Sequence, residues 1–326
     1  MKKRISATLL IFLLLCGCAT GQTPSSDVKS ASSSAPEPSA SSAQTLSLTD
    51  SNGDTVEVPQ NPRTVCLYGS YADAWLLAGG SLVGTTEDAV EERELDVGSA
   101  EIVGTVKEPN TEKIISLNPE LVLLSADIVP QNDIRDVLED AGLACAYFRV
   151  DTFEDYAGMM EQFCKLTGRQ ELFDANVTQP RQQIEAVKAA VSARGESPNV
   201  LLIRAFSSGI KAKTDDELAG QILKELGCHN IADDHPSMLE DLSLEEVIQA
   251  DPDYIFVTTM GSEKKALDYL DSLILANPAW QGLTAVQEDR YHVLPKELFH
   301  YKPNNRWGES YEYLANILYP DLDLTK

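Results

Sequence analysis

Positive charge is scarce in this sequence, and so is histidine. The 326 residues hold 26 lysines and arginines against 51 aspartates and glutamates, which gives a formal charge of −25. Nucleic acids and anionic membranes repel such a surface, so we expect neither as the main partner of the folded body. The four histidines show no spacing typical of a metal site.

Sequence motifs of common enzymes are also missing. The stretch "LYGSYAD" at residues 67–73 lacks the GxSxG pattern of a nucleophile elbow, and no HExxH, phosphate-binding loop or GxGxxG follows a strand-like run. We therefore predict that the protein is not an enzyme and needs no cofactor. Turnover of an ester or of a ferric substrate would contradict this prediction.

The longest apolar run is too short to span a bilayer. It lies in "MKKRISATLLIFLLLCGC", covers Ile5–Leu15 and follows three basic residues. This pattern is typical of a signal peptide, here over residues 1–17, and an uncleaved short membrane anchor is the alternative. Residues 15–18 look like a lipobox, in which Cys18 is lipidated and becomes the first residue. Cleavage would remove the three basic residues and take the charge from −25 to −28.

Residues 18–45 hold too few apolar side chains to fold. They are nearly all Ser, Ala, Pro, Gly and Thr, which predicts a disordered tether. A lipid, a tether and a globular body indicate a protein held at the outer face of a cell membrane. Ala19 after the lipidated cysteine would not act as an inner-membrane retention signal, so a single-membrane bacterium is favoured.

The remaining cysteines form no CxxC pair. They are Cys66, Cys145, Cys164 and Cys228. Cys66 and Cys145 both fall in apolar, strand-like runs. A disulfide between them and a pair of buried free thiols both remain open in an extracytoplasmic protein.

Short apolar runs alternate with helical patterns after an opening hairpin. The hairpin is predicted by "LSLTDSNGDTVEVP", in which apolar and polar residues alternate around the turn pair Asn52-Gly53. Six runs then predict buried strands: "TVCLYG", "LVLLSA", "ACAYFRV", "NVLLIRAF", "YIFVTT" and "RYHVLP". Strands separated by helices indicate βα units and mainly parallel sheets.

The chain contains an internal echo of fourteen residues. Glu112 begins "EKIISLNPELVLLS" and Glu245 begins "EEVIQADPDYIFVT", with acidic, branched, proline and strand positions in the same register. In each copy a proline, Pro119 or Pro252, ends a short helix because the residue before it is pushed out of the α region. We therefore predict two lobes built on the same βα plan.

A helical segment separates the two copies of the echo. "TFEDYAGMMEQFCKLTG" predicts a helix with Thr152 as its N-cap. The residues after it continue with helical apolar spacing, and Pro180 predicts a kink or a break.

These patterns predict an α/β fold of two lobes. Each lobe is expected to be a mainly parallel sheet flanked by helices, with a ligand cleft between the lobes. The predicted boundaries are an N-terminal lobe over 46–168, a single long connecting helix over 169–195 and a C-terminal lobe over 196–326.

Four stretches together resemble the substrate-binding proteins of ABC importers that serve iron-siderophores, heme and cobalamin. They are "TDSNGDTVEVPQNPRTV" from residue 49, "VGTVKEPNTEKIISLNPELVLLS" from residue 103, "LSLEEVIQADPDYIFV" from residue 242 and "NPAWQGLTAVQEDRYHVLP" from residue 277. The resemblance covers about residues 46–326. It implies two rigid lobes on one backbone helix, a shallow cleft and small opening motions.

The resemblance also implies partners. A monomeric receptor of this family passes an iron chelate to an ABC permease and its ATPase, and one surface glutamate on each lobe docks on permease arginines. The matching motifs place these glutamates at Glu112 and Glu245, the two positions that the echo aligns. The alternative is that both are ordinary acids favoured by the helix dipole.

Ligands of open α/β sheets bind beyond the carboxyl ends of the strands, and those ends predict the cleft residues. The predicted ligand-binding residues are Tyr68, Ser70, Tyr71, Ser125, Arg149, Arg204, Phe206, Met260, Lys296, His300, Tyr301, Arg306 and Trp307. Arg204 ends a buried strand and so requires an anionic partner.

The stretch "ELFHYKPNNRW" at residues 297–307 is expected to cross the mouth of the cleft. Its rings suit a flat ligand and its cations suit carboxylate or catecholate oxygens, which favours an anionic ligand. Three roles remain open. Trp307 is compatible with a position in the core or in the cleft. His300 is compatible with an ordinary surface position or with binding iron. Met260 is compatible with a position in the core or with binding heme iron. His300 with Met260 or Tyr71 is the predicted ligand pair for heme.

Rival functions follow from the same residues. The predicted ligand is an iron chelate, a ferric siderophore or heme, with a corrinoid as the alternative. A receptor for bare Zn²⁺ or Mn²⁺ is less favoured, because the histidines lack metal-site spacing. A lipoprotein that only adheres to a partner would have no use for the paired glutamates.

Overall fold

The computed structural model describes residues 45–240, 242–272, 277–322 and 324. The predicted signal peptide, Cys18 and the tether up to residue 44 lie outside the described residues. Within the described residues, no helix is both long enough and apolar enough to cross a membrane.

The strands of the described chain form a hairpin and two larger sheets. They are β1 Thr45–Thr49, β2 Thr55–Pro59, β3 Thr64–Cys66, β4 Leu82–Thr85, β5 Glu101–Ile102, β6 Leu121–Ser125, β7 Cys145–Phe148, β8 Asn199–Phe206, β9 Gly209–Lys213, β10 His229–Asn230, β11 Tyr254–Thr259 and β12 Tyr291–Val293. The predicted hairpin and all six predicted strands are confirmed. The sequence patterns missed β4, β5, β9 and β10.

The helices flank the two larger sheets. They are α1 Gly69–Leu77, α2 Glu87–Glu91, α3 Thr111–Ser116, α4 Val129–Asp133, α5 Arg135–Asp140, α6 Phe153–Thr167, α7 Glu171–Phe173, α8 Gln179–Ser192, α9 Leu218–Glu225, α10 Leu244–Ala250, α11 Glu263–Leu270, α12 Thr284–Gln287, α13 Lys296–Phe299 and α14 Trp307–Leu318. Thr152 caps α6 as predicted: its side chain accepts from the Asp155 backbone N–H, and the Asp155 carboxylate accepts from the Thr152 backbone N–H.

Both larger sheets are mainly parallel, as predicted. The first has the order β5-β4-β3-β6-β7, with every pairing parallel. The second has the order β10-β8-β11-β12, and β9 adds an antiparallel pairing to β8. All five residues of β6 are buried, because helices cover both faces of the sheet.

The carboxylate of Asp50 bonds both to the hairpin turn and to the first sheet. Oδ1 of Asp50 accepts hydrogen bonds from the backbone N–H groups of Asn52 and Asp54, which closes the turn. Oδ2 of the same residue accepts from the backbone N–H of Tyr147 in β7. Asp50 thereby sets the position of the opening hairpin.

Cys66 and Cys145 are buried free thiols, so the disulfide alternative is excluded. Strand β6 lies between the strands that carry them, β3 and β7. Two strand spacings amount to about 9.5 Å, beyond the roughly 7 Å over which two Cα atoms can be bridged. Burial raises the pKa of each thiol to about 12.

The internal echo is confirmed in the backbone. In the first copy α3 is followed by β6, and in the second α10 is followed by β11. The residue before each proline leaves the right-handed helical region, with φ +46° at Asn118 and +42° at Asp251. The same left-handed turn therefore joins helix to buried strand in both halves of the chain.

The segment between the sheets is helical from residue 171 to residue 192. A π-helical turn, Asp174–Thr178, joins α7 directly to α8, so the chain does not break at Pro180. Proline lacks the N–H that would bond to the carbonyl of Asn176, four residues earlier. The hydroxyl of Tyr156 donates to that carbonyl at 3.0 Å instead, which satisfies it.

One apolar core runs between the two sheets. It includes Trp75 and Phe163 beside the first sheet, Val187 of α8 and Phe256 of the second sheet. Two smaller clusters fill the outer faces of the sheets. The sheets therefore share a core.

Helix α14 closes this core by packing against α8. Gly308 permits the close approach, because a Cβ there would lie 2.0 Å from Oε1 of Gln183. Trp307 at the start of α14 is 1% exposed and packs edge-on against Phe153, with ring centroids 6.0 Å apart.

Candidate functional site

A cavity of about 200 Å³ lies at the carboxyl ends of strands from both sheets. Tyr68 follows β3, Asp151 follows β7 and Arg204 lies near the end of β8. We call it the central cavity, and it is lined by Tyr68, Asp151, Arg204, Asp216, Glu217, Leu218, Gln221, Phe299, His300, Tyr301 and Lys302.

A second cavity, of about 390 Å³, lies on the other side of Tyr301. We call it the flanking cavity, and it is lined by Glu92, Arg93, Glu94, Glu263, Lys296, Glu297, Tyr301, Pro303 and Arg306. The Tyr301 ring has the guanidinium of Arg93 and the ammonium of Lys296 each 5.8 Å from its centroid. Tyr301 therefore lines both of the cavities that together form the cleft.

The segment 302–306 is hydrogen-bonded to the first sheet's helix α1. The Asn304 amide donates to the backbone carbonyl of Ser70 at 2.8 Å and to the Asp73 carboxylate at 2.7 Å. The Lys302 backbone N–H donates to the Ser70 hydroxyl at 3.3 Å. Asn304 is fully buried with φ +55°, a conformation that asparagine tolerates better than most residues. The segment after β12 thus crosses from the second sheet to the first.

Arg93 completes this junction. Its guanidinium forms a salt bridge with Asp73 and donates to the Lys302 carbonyl at 3.4 Å. The two charged side chains are only 11% and 19% exposed. A charge pair this little exposed requires both partners, because either alone would be left desolvated.

Arg204 has the anionic partner that its position requires, and that partner belongs to the chain. Its guanidinium is hydrogen-bonded to the carboxylate of Glu217, and both side chains are about 15% exposed. Lys213 adds a second cation, with Nζ 3.2 Å from the other oxygen of Glu217. Glu217 thus holds two cations at the wall of the central cavity.

His300 presents a neutral imidazole in the central cavity. Burial, together with the nearby cations Arg204, Lys296 and Lys302, lowers the pKa of its ring to about 4. Its Nδ1 is buried and has no hydrogen-bond partner among the described residues. A neutral imidazole of this kind can accept a hydrogen bond or bind a metal centre.

We expect His300 to make stability depend on pH between about 6.5 and 4. The unfolded imidazole protonates near pH 6.5 and the folded one near pH 4, so the unfolded chain binds more protons between them. Folding stability therefore falls as the pH falls through this range, by up to about 3 kcal/mol from this group, and falls no further below pH 4. Urea unfolding at pH 7, 5.5 and 4 should show less loss in His300→Gln than in the wild type.

The control for this prediction is His229→Gln. His229 is 44% exposed on the surface and lies outside the cleft, so its variant should follow the wild-type pH dependence. Equal losses in the wild type and His300→Gln would contradict the assignment to His300.

Several predicted residues lie in the core rather than on a cavity wall. Ser70 and Tyr71 are fully buried, Ser125 is 2% exposed and Trp307 is 1% exposed. The Tyr71 hydroxyl donates to the Phe148 carbonyl at 3.0 Å, and the Ser125 hydroxyl accepts from the Asp127 N–H at 3.3 Å. The hydroxyls of Tyr71 and Ser125 thus bond within the first sheet rather than facing a cavity.

The other predicted residues are spread around the cleft. Arg149 forms an exposed salt bridge with Asp127 at 2.6 Å and lines a separate cavity beside the hairpin. Phe206 ends β8 and Met260 follows β11 with 40% exposure; neither lines the central or flanking cavity. Tyr68, Arg204, His300, Tyr301, Lys296 and Arg306 do line these cavities.

The sequence patterns missed most of the acidic lining. Asp151 lies three residues after the end of β7, so the strand-end rule could have found it. Glu217 could have been sought as the partner that Arg204 requires, but nothing in the sequence marks which of 51 acidic residues that partner is. Arg93 and Glu92 lie just beyond the end of α2 and carry no motif.

The fold and the cavities together define a two-lobed α/β binding protein whose cleft lies between two parallel sheets. Residues 64–298 match the family model described as periplasmic binding protein. The chain belongs to that family.

Comparison with individual proteins agrees with the family. The chain is 25% identical over 293 residues to the Fe(3+)-citrate-binding protein YfmC of Bacillus subtilis (strain 168), covering 88% of this chain and 87% of that protein. It is 26% identical over 337 residues to the uncharacterized ABC transporter substrate-binding lipoprotein YvrC of the same strain, covering 98% and 99%. Its fold matches Staphylococcus aureus SirA complexed with staphyloferrin B, with a TM-score of 0.65 at 20% identity, covering 86% of this chain and 99% of SirA.

Proposed function

We propose that this chain is a membrane-anchored, extracytoplasmic receptor that binds an iron chelate in the cleft and delivers it to an ABC importer. The observation that carries the proposal is the pair of cavities at the carboxyl ends of both sheets, both lined by Tyr301. Membership of the family supports it, as do relatives named for Fe(3+)-citrate binding and for ABC transport.

The mechanism that this cleft supports is binding without chemistry. Tyr68 and Tyr301 supply ring surfaces for the organic part of a chelate, and His300 supplies a neutral acceptor. Residues 302–306 are bonded to α1, so closure is expected to be a small adjustment around this junction. We also propose that the protein acts as a monomer, needs no cofactor and has no catalytic residue.

Docking would use one exposed glutamate from each half. Glu112 lies in the first turn of α3 and Glu245 in the first turn of α10, and both side chains are exposed. Permease arginines could form bidentate pairs with such carboxylates. Lipidation of Cys18 would hold the receptor beside the permease, through the tether up to residue 45.

Heme and cobalamin are alternative ligands of the same cleft. For heme, His300 remains the predicted iron ligand because its imidazole is neutral, with Tyr71 or Met260 as the predicted second ligand. The buried Tyr71 hydroxyl would first have to leave the Phe148 carbonyl. Among the described residues, no group of three or more His, Cys, Asp or Glu is arranged to hold a bare metal ion.

A fluorescence titration tests the proposal. Trp75, Trp280 and Trp307 are all buried, so a coloured chelate should quench them by energy transfer while solvent quenchers should not. We expect saturable quenching at one chelate per chain by a ferric siderophore, hemin or cobalamin. A shift of the hemin absorbance that His300→Gln removes would identify the iron ligand. A response to Zn²⁺ or Mn²⁺ alone, or to nothing in the panel, would overturn the proposal.

A further inference from the structure

The walls of the cleft carry more negative than positive charge. The central and flanking cavities together are lined by seven carboxylates and five cations among the described residues. The carboxylates are Asp151, Asp216 and Glu217 in the central cavity and Glu92, Glu94, Glu263 and Glu297 in the flanking cavity. A ligand in either cavity therefore lies in a negative field, on a protein that is itself strongly acidic.

The cations of the central cavity are already paired. Arg204 is bonded to Glu217, and Lys302 lies 3.5 Å from the carboxylate of Asp151. An anionic chelate that displaced one of these carboxylates would leave it unpaired near its own charge. That exchange is unfavourable where both partners are only about 15% exposed, as in the Arg204–Glu217 pair.

The cations of the flanking cavity are engaged as well. Arg93 pairs with Asp73, and Arg306 lies 2.8 Å from Glu309. Lys296 donates to the backbone carbonyl of Gly261 at 2.6 Å. Each cation of residues 296–306 thus already has a partner within the chain, with which an anionic ligand would compete.

We infer that the cleft selects a chelate without net negative charge, and that Glu217 sets this preference. The inference rests on the proposed function and narrows its substrate class. The ligand would be a neutral or cationic metal complex, such as a ferric tris-hydroxamate, held by the rings of Tyr68 and Tyr301. A ferric tris-catecholate, which carries three negative charges, would bind more weakly.

Glu217 has the geometry for this role. It follows the turn after β9 and lies at the start of α9, so its backbone is held by regular structure on both sides. Its two oxygens face different cations, Arg204 and Lys213. Removing its charge would release the guanidinium of Arg204 into the central cavity and turn this wall positive.

The test is a comparison of three ferric chelates of different charge. The probes are the cationic complex of desferrioxamine B, the neutral complex ferrichrome and the trianionic tris-catecholate of enterobactin. The wild type should bind the cationic or the neutral complex at least about tenfold more tightly than the trianion, given the size of unit-charge interactions near a protein surface. In Glu217→Gln that preference should shrink by about tenfold or reverse, for the same reason.

Two further variants make the result specific. Glu288→Gln removes the same charge from an exposed arginine pair, with Arg290 at 2.9 Å, before the start of β12 and away from the cleft, so it should bind like the wild type. Glu217→Asp keeps the charge and should keep the preference.

Each outcome bears on a different claim. A wild type that binds no metal chelate would overturn the proposed function together with this inference. A wild type that prefers the trianion would overturn only the inference. A Glu217→Gln variant that folds, as judged by circular dichroism, and keeps the wild-type preference would overturn the role of Glu217.

Discussion

Replacing Glu112 and Glu245 together by alanine is expected to abolish uptake of the ligand by cells while the affinity of the purified protein stays unchanged. Each glutamate is exposed in the first turn of its helix, outside the lining of both cavities. Loss of one partner from a charge pair buried at an interface costs about 2–5 kcal/mol, so losing two should reduce productive docking by more than about a thousandfold. Radioactive iron uptake and fluorescence titration measure the two quantities separately.

The control separates docking from the ordinary preference of helices for acidic first turns. Glu154 and Glu171 also lie in first turns, of α6 and α7, but outside the internal echo. Their double alanine variant should take up ligand like the wild type. Loss of ligand affinity in the Glu112 and Glu245 variant, or uptake at the wild-type rate, would contradict docking through this pair.

Asp73→Ala is expected to destabilise the protein by about 3 kcal/mol, because it leaves a desolvated guanidinium without its carboxylate. Arg93 is 11% exposed and keeps only hydrogen bonds to neutral groups, at 3.4 Å or more, once Asp73 is removed. The Asn304 amide loses one of its two acceptors at the same time. Urea unfolding measures the loss of free energy, and hydrogen exchange should show faster opening of residues 302–306.

Asp127→Ala is the matched control for this second prediction. It also removes an aspartate from an arginine pair, but Arg149 and Asp127 are 55% and 41% exposed. Water replaces such a partner, so the cost should stay below about 1 kcal/mol. If both variants lose the same free energy, burial of the Arg93–Asp73 pair does not explain its contribution.

The parts of the fold that the sequence could predict are those encoded locally. Buried strands such as β6 and β11 are continuous apolar runs. The start of α6 is also encoded locally, because Thr152 and Asp155, three positions later, form a capping box. The two-residue strands β5 and β10 are held only by their neighbours and have no such pattern. These two strands form because they pair with strands elsewhere in the sequence: β5 pairs with β4, and β10 pairs with β8.

The cleft could be located from the sequence, but its charge could not. The positions of the strand ends predicted Tyr68 and Arg204 as cleft residues, and the density of rings and cations predicted His300 and Tyr301. Whether a cation is free depends on carboxylates far along the chain. Asp73 bonds to Arg93, which lies twenty residues later in the sequence, and to Asn304, which lies more than two hundred residues later. No local sequence pattern indicates such pairs.

The burial of the cysteines has a consequence for where the receptor can work. Burial raises the pKa of Cys66, Cys145 and Cys228 to about 12 and that of Cys164 to about 11, so almost no reactive thiolate exists at neutral pH. If the protein is exported, as proposed, the four cysteines of the described residues need no oxidase to join them and offer no disulfide for a reductant to open. The receptor should fold and function alike in aerated and in oxygen-free surroundings.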